Sequence, residues 1–170
     1  SSRTAESTRP LYSRPCDVNT ADTCDLPIAA GIYTWNTADN VVTTRKADTD
    51  QLTTLKFKDT AGFDVAGINA SGTAELTSTG TVTQSGVITA GTLDLRGAAG
   101  IYTLNTSDNV VTTLKADTDQ LTTLKFKDTA GFDVAGSNAY GKAELTSTGT
   151  VTPSGVMKAS KTEVLGAGGD

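Results

Sequence analysis

The sequence predicts an all-β protein, and three observations carry that reading. Roughly one residue in five is Thr, a β-branched type that packs well on a pleated surface. Turn-forming residues recur at short intervals, with 17 Gly in 170 residues. Most of the chain is also an internal repeat: Gly31-Ile32-Tyr33-Thr34-Trp35-Asn36-Thr37 returns as Gly100-Ile101-Tyr102-Thr103-Leu104-Asn105-Thr106, and 100 − 31 gives a period of 69.

Composition narrows the chemistry before any motif is read. There is no His, one Met, one Trp and two Cys, and only 5% of residues are aromatic, so imidazole metal sites and histidine-based triads are excluded. A general base near neutral pH would need a strongly shifted carboxylate or lysine, and the sequence carries no sign of one. The expectation is no enzyme, no catalytic residue, no cofactor and no metal. The net charge of −5 argues against a nucleic-acid partner, which requires a basic face. No apolar run approaches the ~20 residues of a membrane-spanning helix, so no membrane partner is expected either.

Residues 1–28 read as an extended N-terminal arm. Its first fifteen residues hold Arg3, Arg9 and Arg14 against Glu6, a balance of 3 − 1 = +2, which leaves −7 for the rest. Pro10 and Pro15 keep the segment extended, and three guanidinium groups could lie across an acidic partner surface. Cys16 and Cys24 are spaced to close one small disulfide loop, and two free thiols are the alternative.

Residues 29–97 and 98–166 form the two tandem β repeats, with a tail at 167–170. Roughly four positions in five agree between them, and Lys46 through Gly67 recurs unchanged as Lys115 through Gly136. Differences gather late in each unit, where Lys158 and Lys161 suggest a polar cap on the second copy. Within a unit, Leu55, Phe57, Phe63 and Val65 alternate on either side of Asp59-Thr60-Ala61-Gly62 and predict a hairpin with one apolar face, repeated at Leu124, Phe126, Phe132 and Val134. A helix over 41–57 is the competing pattern, and Arg45, standing where the second copy has Leu114, speaks against it. Asp48-Thr49-Asp50 and Asp117-Thr118-Asp119 read as acidic turns, since the Gly and Glu of an EF-hand calcium loop are missing. Asn69-Ala70-Ser71 and Asn105-Thr106-Ser107 match the glycosylation pattern but lose it in their duplicates.

The stretch from Ala74 to Val87 has three bulky aliphatic residues, too few for a dense single-chain sandwich. The expected remedy is an intertwined or packed homotrimer, each chain giving a narrow apolar stripe to a shared axis.

The run from Ile68 to Gly91, with Thr-Ser-Thr-Gly-Thr-Val-Thr at its centre, resembles the Gly, Thr and Val-rich shafts of bacteriophage fibre or capsid decoration proteins. The resemblance implies trimeric β-structure attached to a virion by the N-terminal segment. The function expected is thus a virion structural protein whose arm meets capsid or other assembly subunits. The alternative is a secreted extracellular filament subunit or adhesin assembling by β-strand addition. A Thr-rich carbohydrate or ice binder is a third reading, weakened because Thr-x-Thr does not return at a constant coil length.

Overall fold

A computed structural model describes residues 2–4, 23–25, 31–35 and 43–166. Every regular element among them is a strand, and the strands wind into a parallel β-solenoid.

Two ladders run along it. The odd ladder stacks β3 (Ile32–Trp35), β5 (Thr54–Lys58), β7 (Thr73–Thr77) and β9 (Ile88–Arg96). The even ladder stacks β1 (Ser2–Thr4), β2 (Thr23–Asp25), β4 (Thr44–Leu52), β6 (Gly62–Ala70) and β8 (Thr81–Gln84). Both meet β10 (Ile101–Asp128), which is followed by β11 (Gly131–Ser147), β12 (Thr150–Pro153) and β13 (Met157–Gly166). All pairings are parallel, so each connection must travel round the coil before its strand meets the previous one.

Register gives the coil length. Leu55 pairs with Ala74 and Ala74 with Leu93, sequence steps of 74 − 55 = 19 and 93 − 74 = 19. Leu93 then pairs with Leu114 and Leu114 with Val134, steps of 114 − 93 = 21 and 134 − 114 = 20. The sequence period of 69 falls midway between three coils, 114 − 55 = 59, and four, 134 − 55 = 79. Duplicate residues therefore stand about half a coil out of phase. Leu124, the copy of Leu55, pairs with Ala143 and joins a different column, which continues to Thr162.

The predicted hairpin is corrected. Leu55, Phe57, Phe63 and Val65 are buried as the alternation requires, but β5 and β6 do not pair with each other. Asp59-Thr60-Ala61-Gly62 is a corner, and each strand beyond it stacks on the coil before and the coil after. The helical alternative over 41–57 is also replaced, since β4 and β5 occupy the described part of it. Arg45 is fully buried in β4, its guanidinium carbon 4.4 Å from the Phe57 ring centroid.

The premise behind three-chain wrapping is corrected too. Ala74, Leu76 and Val82 are fully buried within one chain, in a core cluster that runs from Tyr33 to Leu145. Stacking explains why few bulky residues suffice: each inward side chain packs against equivalents above and below, about 4.8 Å away, so each coil needs only a few.

Candidate interaction surface

Outward positions of the odd ladder form two columns. Thr73, Thr92 and Thr113 stand in register in one, so Thr does return at a constant position, once per coil. The neighbouring column reads Lys56, Glu75, Asp94, Lys115, with two carboxylates stacked on each other between flanking lysines. Arg96 donates to Asp94 at 2.9 Å and lies 3.5 Å from Glu75, and the Asp94 hydrogen bond is the main reason its pKa is raised. A charged column beside the Thr column breaks the flat hydroxyl array that an ice binder would present.

The Asp-Thr-Asp-Gln segments are protrusions. Ala47 pairs with Ile68 but Leu52 with Ala70, so Asp48–Gln51 bulge out of the ladder, and 117–120 do the same between Ala116 and Leu121. Each bulge folds over a glycine. A Cβ on Gly67, at φ +142°, would stand 2.1 Å from Asp48 Oδ2, and one on Gly136 the same distance from Asp117 Oδ2. Lys46 and Lys115 hold these carboxylates at 2.5 Å. Asp48 and Asp117 are thus ion-paired turn residues, and among the described residues no cluster of three or more potential ligands could hold a metal.

A groove of about 380 Å³ opens at the corner beyond β10, lined by Asp108, Lys127, Thr129, Thr146, Thr148 and Leu165 among others. Lys127 pairs with Asp108 at 2.9 Å across its mouth. The groups beneath are consumed by backbone. Buried Asp128 accepts from the amides of Val111 (2.7 Å), Ala130 (2.8 Å) and Gly131 (3.1 Å), Ser147 Oγ accepts from Gly149, and Thr148 donates to the Thr129 carbonyl.

Asn109 is the residue that sequence reasoning missed. Fully buried, it donates to the carbonyls of Leu104 and Lys127, both at 3.0 Å, and accepts from the Ile88 amide at 2.9 Å and from Gln84. One side chain thereby bolts three successive coils. Its signal in the sequence is the repeated Asp-Asn-Val-Val, present at 39–42 and 108–111. Tyr102 does similar work: its hydroxyl lies 2.6 Å from the Arg96 carbonyl and 3.1 Å from that of Leu76, and burial pushes its pKa up.

The arm residues are reached only in part. Arg3 and Cys24 pair through their backbones in β1 and β2, and Cys24 pairs onward with Arg45 of β4. Arg9, Arg14 and Cys16 lie outside the described residues, as does the expected Cys16–Cys24 bridge.

Residues 50–118 match the family model described as repeats of unknown function (DUF5649). The length of that window, 118 − 50 + 1 = 69, equals the sequence period. No curated protein and no solved structure matches the chain. That description names a repeat and carries no indication of a relationship to the bacteriophage fibre proteins that residues 68–91 resemble.

Proposed function

We propose that this chain is a shaft segment of an extracellular adhesin or filament, a rigid spacer that holds a binding function away from a surface and carries out no catalysis. The observation that supports this reading best is the unbroken parallel ladder from β3 to β13, whose core is closed by one chain. A rod of this kind needs neither a cofactor nor a partner chain to be stiff, and some of its outward side chains, such as Thr83 on Asp64 and Lys142 on Glu163, bond to the next coil. Residues 1–28, with Arg3, Arg9 and Arg14, would join the rod to an acidic part of its assembly.

The virion fibre is the competing reading, with three chains packed about one axis and the arm seated on capsid subunits. Light scattering of the full chain at micromolar concentration, together with immunodetection in the source culture, separates the two. A monomer found on cell surfaces or in shed extracellular material supports the adhesin shaft. A trimer that co-purifies with virions overturns it.

A further inference from the structure

In the first repeat, the edge formed by β8 and β9 is built to receive the next coil. Gln84 is buried and reaches Asn109 of that coil, while its carbonyl accepts from Thr106 Oγ1 at 2.7 Å. Leu93 is fully buried and pairs with Leu114. Thr89 and Thr92 stand in register with Val110 and Thr113.

The second repeat replaces each of these receiving positions. One sequence period on, Pro153 stands for Gln84, Lys158 for Thr89, Lys161 for Thr92 and Thr162 for Leu93. Pro153 has neither the side-chain amide that would seat an asparagine nor a backbone N–H to give. Thr162 puts a hydroxyl where the next coil would press a leucine. Lysines on a sheet edge resist pairing with another strand, because adding one would require them to lose hydration.

The same coil is also clamped from behind. Lys142 lies 2.6 Å from Glu144 and 3.0 Å from Glu163 of the following coil, and Lys161 lies 2.7 Å from Glu163. Thr73 and Thr92 occupy the positions of the two lysines in the first repeat, where Arg96 instead bridges Glu75 and Asp94, the counterparts of Glu144 and Glu163. The lysines thus hold the last coil down from the side of the coil before it.

We infer that the edge formed by β12 and β13 is a blocking cap: it refuses a further coil of this repeat, so the shaft is not lengthened there by stacking another copy. The inference goes beyond the extracellular reading and holds wherever the protein resides.

The test extends the full chain directly after Gly166 with another copy of residues 98–166, in two versions. One keeps the natural residues and the other carries Pro153→Gln, Lys158→Thr, Lys161→Thr and Thr162→Leu. Amide hydrogen exchange is then read at residues 157–166. The restored version should gain about tenfold or more protection there, while the natural version should exchange as in the parent chain. Protection of β13 in the natural extended chain would overturn the cap, and so would a restored chain that gains none.

Discussion

The rings of Phe57 and Phe63 meet edge to face across the corner that joins β5 to β6, their centroids 4.9 Å apart and their planes at 84°. Phe126 and Phe132 repeat the arrangement at 5.0 Å and 86°, half a coil out of phase. At the first corner, β5 and β6, which do not pair, are thus fixed to each other by an aromatic contact inside the coil. Truncating Phe63→Ala or Phe132→Ala should cost roughly 3 to 5 kcal/mol in denaturant unfolding, since each ring is buried and its removal leaves a cavity. Unchanged stability would mean that the rings lie outside the core.

Gly67→Ala should destabilise by about 1–3 kcal/mol, because the new Cβ meets the Asp48 carboxylate and the backbone sits in the left-handed region. Part of that cost should vanish in an Asp48→Ala background, and the double-mutant cycle isolates that part. Equal costs in both backgrounds would show that the bulge does not fold over the glycine.

Replacing Asn109 by leucine should leave the Ile88 amide and the Leu104 and Lys127 carbonyls without their partner, at a cost of about 2–5 kcal/mol. Asn109→Asp should fail as well, since a carboxylate cannot donate to the two carbonyls. Thermal unfolding of both variants checks this, and an aspartate variant as stable as the parent would contradict the assigned bonds.

The clamp on the final described coil should respond to pH at both ends. Hydrogen bonds from Lys161 and Lys142 hold the Glu163 carboxyl below its ordinary 4.5. Its contribution is therefore complete above that value and is lost as pH falls through the depressed one. Bonds to Glu144 and Glu163 raise Lys142 above its ordinary 10.5, so its contribution is complete below 10.5 and is lost as pH rises through the raised value. Exchange at residues 157–166, corrected for intrinsic rates, should be slowest between these limits and should quicken in high salt. A flat profile would show that the ions do not hold the coil.

Strand content and the buried faces around the two Phe corners were legible in the sequence, because alternation of apolar residues survives whatever the strands pair with. Pairing itself was not legible. An antiparallel hairpin and a solenoid corner present the same pattern at Leu55 to Val65, and only the stacking of Leu55 on Ala74 separates them. The much shorter coil was hidden because its columns mix residue types: one holds Tyr33, Leu55, Ala74, Leu93, Leu114 and Val134. Identity reappears only after the full sequence period, which is not a whole number of coils. The reach of Asn109 across three coils depends on contacts that no local pattern records.

Parallel, in-register stacking within one chain can be tested by a disulfide across the Thr column. Thr73 and Thr92 are register partners on adjacent coils, and neighbouring strands about 4.8 Å apart bring paired positions within bridging range. In the Thr73→Cys, Thr92→Cys double variant, peptide mapping after mild oxidation should find positions 73 and 92 joined within a single chain. A bridge formed between chains, or none between these two positions, would contradict stacking within one chain.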